Sequence, residues 1–240
     1  MGCQPHQGAG YFPVADKKIQ DFYSEKYGVV HPTKAGLKIP QIFDAAINKE
    51  VKAVWIIGED VVQTDPNSAH VAKAMNALDL LVVQEIFMSE TAKHADVVLP
   101  GTTFLEKNGT FTNTERRIQR VNQAAKPLPG TKPDGLIVTE MMQKLGYNQK
   151  LYDADEVLAE IADVVPFFKG VSRERLGKLG LQWPVKEDGT DTKILHEKEF
   201  KLGKGRIKYF DWKESSEIKN NHKDFPLILT TSRVLQHYNA

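Results

Sequence analysis

The sequence predicts an α/β fold built on a parallel sheet with helices on both faces. Two observations carry that prediction. Short runs of nearly continuous apolar residues, Val54-Trp55-Ile56-Ile57 and Leu80-Leu81-Val82-Val83, read as strands buried on both sides. They alternate with segments of helical spacing, and the connections are short, as in β-α-β units.

The alternation starts near residue 36. Ile42, Ala45, Ala46 and Lys49 keep helical spacing after Pro40, and Val51 to Ile57 then forms a strand ended by Gly58. Asp65-Pro66 predicts a helix start, an acid before a proline in the first turn. Val71, Ala74, Met75 and Leu78 form the buried face of that helix. Leu80 to Gln84 is a second strand, Ser89 to His94 a short helix, and Asp96 to Leu99 a third strand stopped by Pro100.

The stretch that follows, EKNGTFTNTERRIQRVN at 106–122, is rich in groups that hydrogen-bond and poor in groups that pack. Asn108-Gly109 before alternating Thr110, Phe111 and Thr112 predicts a turn feeding a strand. Either this is a solvated hairpin or its side chains face something polar. Beyond it, Asp134 begins a helix with Val138, Met141, Met142 and Leu145 on one face and Gly146 as its stop. Asp153 to Val165 is a further amphipathic helix closed by Pro166. Residues 169–222, with Trp183, Phe200, Tyr209, Phe210 and Trp212 scattered among Gly, Lys and Glu, read as an irregular, strand-containing connector. Pro226 to Thr231 is a strand, and a strand opening a new domain so near residue 240 reads as a fragment.

Composition excludes several functions. Lys and Arg number 32 against 31 Asp and Glu, which leaves no global field for nucleic acid or an acidic membrane. The apolar runs are strand-length, too short for membrane insertion, and the N-terminal residues do not resemble a signal peptide. Cys3 is the single cysteine, so the chain has neither an internal disulfide nor the ligands of an iron–sulfur cluster or a structural zinc. A reducing, cytoplasmic location follows as the expectation, with Cys3 an incidental thiol.

Ligands of parallel α/β sheets bind beyond the carboxyl ends of the strands. Here those ends are polar: Gly58-Glu59-Asp60, Gln84-Glu85 and Pro100-Gly101-Thr102-Thr103. A carboxylate such as Asp60 could accept from ribose hydroxyls or from a guanine edge, with Thr64 and Gln84 bridging to base or sugar. Equally, Asp60 and Thr64 could merely cap the loop and helix. GEDVVQTDPNSAH lacks the glycines that admit a nicotinamide dinucleotide. His70 and His94 have no metal-ligand spacing, and the basic run 201–208 is explained by a solvated turn. Arg233, directly after an apolar strand, suits a paired contact with phosphate or carboxylate.

Three segments together, GEDVVQTDPNSAH, LDLLVVQEIFMSETAKHADVVLPGTTFLEKNGTFTNTERRIQRV and TTSRVLQHYNA, resemble the catalytic (alpha) subunit of molybdenum- or tungsten-dependent formate dehydrogenase. That subunit is a bis-molybdopterin guanine dinucleotide oxidoreductase, and the similarity covers nearly the whole chain. The resemblance implies a Rossmann-like, dinucleotide-binding domain over 1–168, a connector over 169–222, and over 223–240 the first strand of a truncated β-barrel. It implies cofactor contacts at Gly58, Glu59, Asp60, Thr64, Gln84, Gly101, Asp134, Arg233, His237 and Tyr238, with the hairpin walling the cofactor region. The complete enzyme would oxidise formate and pass two electrons through the metal to iron–sulfur clusters and electron-transfer subunits. The four cysteines of the 4Fe-4S domain and the metal-ligating Cys or Sec are absent here, so no catalytic or metal-ligating residue is expected, and this chain alone should be inactive. Another family member, such as an assimilatory nitrate reductase, or a non-catalytic interaction module of the same fold, is the alternative.

Overall fold

Helix α1 (Lys17–Tyr27) occupies a segment in which the sequence reading placed no regular element. Its signals are local. Asp16 caps it by accepting from the Lys18 amide at 2.9 Å, and Gly28 ends it at φ 66°. Only Gln20 and Tyr23 are buried, a stripe too thin to stand out by periodicity. The structure, a computed structural model, describes residues 5–200 and 203–229. They fall into two compact units that divide between Lys193 and Ile194.

In the first unit, α2 (Ile39–Ile47) carries Pro40 in its first turn and buries Phe43, Ala45 and Ala46. Strand β1 (Ala53–Ile57) is followed by the single turn α3 (Val61–Thr64), then α4 (Ser68–Ala77), β2 (Leu80–Glu85) and β3 (Val97–Pro100). The expected helix start at Asp65-Pro66 is not the real one: Asp65 closes α3. Asn67, in the left-handed region at φ 62°, starts α4 by accepting from the His70 amide. The short helix expected at 89–94 is a 3-10 turn over Ala92–His94.

The three strands are all parallel, in the order β1-β2-β3. Val54 pairs with Leu81, and Ile56 with Val83 and through it with Val98, so these residues share one face. That face packs on Phe43, Ala46, Val71, Ala74 and Met75 from α2 and α4. The other face carries Trp55, Ile57, Val82 and Gln84, and there Ile57, Leu80 and Val97 keep 47%, 42% and 42% of their surface exposed. Apolar continuity along the strands predicted cover on both faces; among the described residues it is complete on one.

The polar stretch forms a hairpin of β4 (Gly109–Thr112) and β5 (Arg117–Val121), with β6 (Leu181–Gln182) added beside β5. Its turn lies at 113–116 and not at Asn108-Gly109. Asn113 Oδ1 accepts from the amides of Glu115 at 3.1 Å and Arg117 at 2.9 Å, and Arg116 takes φ 66°. Asn108 Oδ1 instead accepts from the Gln123 amide at 3.0 Å and pins the far end of β5. The Arg116 guanidinium donates to the carbonyls of Trp183, Thr192 and Lys193 and lies 5.7 Å from the centre of the Trp183 ring. Much of the polarity of this stretch therefore goes into bracing its own turn and the segment after β6.

Helices α5 (Asp134–Lys144), α6 (Ala154–Val164) and the turn α7 (Arg173–Leu176) complete this unit. In α5 the buried residues are Ile137 and Thr139, whereas Leu145, expected on the buried face, is 80% exposed. A second core joins Tyr23, Ile118, Leu158, Phe168, Leu176 and Val185. The domain boundary expected at 168 falls inside this core, because Leu176 and Val185 pack with Ile118 of the hairpin and Leu158 of α6. The backbone also closes tightly here: a Cβ on Gly170 would lie 1.7 Å from the Lys186 carbonyl oxygen.

Among the described residues of the second unit there is one helix, α8 (Ser216–Asn221), started by the Ser215 side chain. Around it Ile207, Tyr209, Phe210 and Trp212 stand exposed. The strand expected over 226–231 is not formed at 226–229, and 230–231 lie outside the described residues.

Candidate functional site at the strand ends

Beyond the carboxyl ends of the strands, the expected site residues separate into two hydrogen-bonded clusters. Gly58, at φ 61°, turns the chain out of β1 and donates its amide to the Gln84 carbonyl at 2.9 Å. Asp60 follows, and its carboxylate is already engaged by protein donors. Oδ1 accepts from the Thr91 amide at 2.8 Å and the Thr91 hydroxyl at 2.6 Å, and Oδ2 from the Glu90 amide at 3.2 Å. Thr91 is fully buried, and its Oγ1 accepts in turn from the Val62 amide at 3.0 Å. Burial pushes the Asp60 pKa up, but the hydrogen bonds from Thr91 and from the Glu90 and Gln63 amides together hold it below the ordinary aspartate value. Thr64 donates to Glu59 at 3.0 Å and to the Asp60 carbonyl at 3.1 Å. This cluster ties the loop after β1 to the loop after β2.

The second cluster gathers Gln84, Gly101 and Asp134. Gln84 is fully buried at the end of β2, and its Nε2 donates to Asp134 Oδ1 at 2.8 Å. That bond fixes the amide orientation, since a carboxylate cannot donate. Gln84 Oε1 faces away from it, and among the described residues neither that oxygen nor the buried Thr102 hydroxyl has a hydrogen-bond partner. Asp134 Oδ2 forms an ion pair with Lys107, whose ammonium also donates to the Thr102 carbonyl at 3.1 Å. Burial raises the Asp134 pKa, yet the bonds from Lys107 and Gln84 leave it below the usual range. Gly101 allows this approach, because a Cβ there would meet Asp134 Oδ1 at 2.9 Å. Lys107 and Asp134 together line a cleft of about 190 Å³ whose walls include Phe104, Phe111 and Tyr152.

Gln84, Gly101 and Asp134 are therefore brought together, while Gly58, Glu59, Asp60 and Thr64 form their own cluster. No side-chain bond joins Asp60 to Gln84. Arg233, His237 and Tyr238 lie outside the described residues, as does Cys3. Sequence reasoning named Thr102 only as part of a polar strand end and gave no individual role to Thr91 or Lys107. The last had a faint signal, a cation ahead of Asn-Gly near strand ends otherwise lined with acids. Among the described residues no helix is long and apolar enough to cross a membrane, and no group of three or more His, Cys, Asp or Glu is placed to hold a metal ion.

Comparison with known proteins bears on this arrangement. A sequence profile described as molybdopterin oxidoreductase matches residues 13–144. The alpha subunit of an F420-dependent formate dehydrogenase of Methanocaldococcus jannaschii is 40% identical, over all of this chain and 36% of that protein. The alpha subunit of F420-dependent formate dehydrogenase 2 of Methanococcus maripaludis is 43% identical over the same shares. A putative formate dehydrogenase of Staphylococcus haemolyticus is 38% identical over 99% of this chain and 24% of its own length. The chain thus spans about a third of the length of the first two relatives, 36% of each, and about a quarter of the third. Acetylene hydratase from Pelobacter acetylenicus overlays 65% of this chain and 22% of its own, at 22% identity and a TM-score of 0.49. With its profile match running from the start of the second core through the sheet to the end of α5, the chain belongs to the molybdopterin oxidoreductase family.

Proposed function

We propose that this chain is part of the catalytic subunit of a formate dehydrogenase, the part that holds the guanine dinucleotide end of a molybdopterin cofactor. The observation that carries this reading is identity of 40% and 43%, along the entire chain, to two proteins named as formate dehydrogenase alpha subunits. The cluster at the end of β2 fits such a group. It offers a carboxylate, an ammonium, and two buried polar atoms without partners, Gln84 Oε1 and Thr102 Oγ1. Asp134 and Gln84 would meet the base, and the glycine at 101 leaves the backbone bare beside them. Gly58, Glu59 and Thr64 would border the site, and Asp60 would hold their loop in place through Thr91. Arg233, His237 and Tyr238 complete the proposed contact set from outside the described residues.

When bound, such a molybdenum or tungsten cofactor would supply two-electron redox chemistry on formate, with iron–sulfur clusters and partner subunits as the onward electron acceptors. What this chain supplies is binding and orientation. The test is made on the full-length protein, purified and assayed for guanine nucleotide released on denaturation, for molybdenum and tungsten, and for formate-dependent dye reduction. Guanine nucleotide together with metal and formate oxidation is the expected result. Protein free of guanine nucleotide, or loaded protein that leaves formate untouched, would overturn the reading.

A further inference from the structure

We propose that Lys107 is a positioning residue for Asp134, holding that carboxylate ionised and turned so that its remaining lone pairs serve a ligand edge bearing two N–H groups. The inference rests on the cofactor reading above and adds a residue to it.

The geometry restricts the carboxylate from both sides. Other residues give one bond to each oxygen, Gln84 on Oδ1 and Lys107 on Oδ2, and Asp134's own backbone amide adds an intraresidue contact. A carboxylate has about four lone-pair sites, so roughly two are left. Lys107 itself is not free to wander. Its ammonium is tethered to the Thr102 carbonyl, and it follows a 3-10 turn, Phe104–Glu106, that is internally braced. Glu106 accepts from the Thr103 amide and hydroxyl at 2.9 Å each and from the Leu128 amide at 2.9 Å. The cation is therefore delivered from a fixed loop to a fixed carboxylate.

No second ammonium or guanidinium bonds Asp134 among the described residues. The other groups facing it are the first turn of its own helix α5, the Gln84 amide, and Tyr152, whose ring packs against Gly135. Without Lys107 the half-buried carboxyl would take a proton more readily. A protonated carboxyl presents an O–H to the ligand, and donor would then meet donor. The ion pair keeps the site acceptor-only, which selects a donor–donor edge such as that of guanine over an edge that needs a donor.

The chain as it stands can be tested with GDP as probe. Binding would be measured by calorimetry from about pH 4 to about pH 8, and the Asp134 carboxyl carbon followed by NMR over the same range. In Lys107→Met, GDP affinity should fall about tenfold, the factor one charge-assisted hydrogen bond carries. The loss should deepen on acidification, with the Asp134 carboxyl titrating at higher pH than in the unaltered chain. Lys107→Arg should restore both. An Asp134 titration curve unchanged in Lys107→Met would overturn the positioning role whatever GDP does. GDP failing to bind the unaltered chain, while that titration does move, would instead overturn the nucleotide reading and the recognition role built on it.

Discussion

Asp60, just after β1, and Asp134, at the start of α5, face the carboxyl ends of neighbouring strands with opposite kinds of partner. Asp60 accepts from the Thr91 hydroxyl and from the Thr91 and Glu90 amides of the loop after β2, with the Gln63 amide adding to them, and among the described residues no ion pair holds it. Asp134 accepts from a cation and from a side-chain amide whose own oxygen is left unpartnered. The first carboxylate is consumed by the fold, while the second is held ready beside a cleft. A carboxylate beside the ends of parallel strands thus has two distinct uses, and its partners, not its position, tell them apart.

The sharpest way to break this contrast is Asp60→Ala. It strands the amide and hydroxyl of fully buried Thr91, and leaving buried donors unpaired costs about 1–3 kcal/mol. Denaturant titration should show a loss in that range; Asp134→Ala strands the amide of fully buried Gln84 and should cost a comparable amount. The acid limb of the same titration sharpens the contrast further. Both carboxyls titrate below their ordinary values in the folded chain, so both stabilise it above the unfolded-state pKa. That stabilisation disappears as the pH falls through the folded pKa values. In Asp60→Asn the acid-induced decline should be shallower than in the unaltered chain; an identical decline would show that Asp60 is not the loop-holding acid described here.

Gly101→Ala has a smaller expected effect. The added Cβ would sit 2.9 Å from Asp134 Oδ1, so the carboxylate must move and strain its bonds to Gln84 and Lys107. We expect a loss of about 1 kcal/mol, at the lower end for overpacking because a half-exposed side chain has room to yield. The change should also disturb the Asp134 carbon resonance and leave that of Asp60 unmoved. The smallest effect is expected for Glu59→Gln, which weakens one exposed bond to Thr64. Stability there should stay within about 0.5 kcal/mol of the unaltered chain.

The strands were legible because Val54–Ile57 and Leu80–Val83 are apolar enough to admit no other reading, and their polar ends marked the carboxyl edge. Gln84 and Gly101 were singled out on that basis, whereas Asp134, a helix start, entered with the family resemblance. What could not be read was pairing at a distance. Thr91 reaches Asp60 from 31 residues away and Lys107 reaches Asp134 from 27, and neither spacing belongs to a local motif. The hairpin turn was misplaced for a related reason. Asn108-Gly109 has turn chemistry, but the side chain of Asn113 organises the turn and Arg116 accepts the left-handed conformation usually left to glycine or asparagine. Helix α1 escaped because its caps outweigh its periodicity.

The Arg116 anchor has a consequence for how this unit comes apart. A guanidinium held by three backbone carbonyl oxygens needs no ionised carboxylate to hold it. The strand-end clusters, by contrast, depend on ionised carboxylates. Acid should therefore loosen the loops around Asp60 and Asp134 while the tie between the hairpin and residues 183–193 keeps its grip. In amide exchange on mild acidification, protection would be lost first at Thr91 and Glu90, and last at the amide of Trp183, which donates to the carbonyl of Arg116.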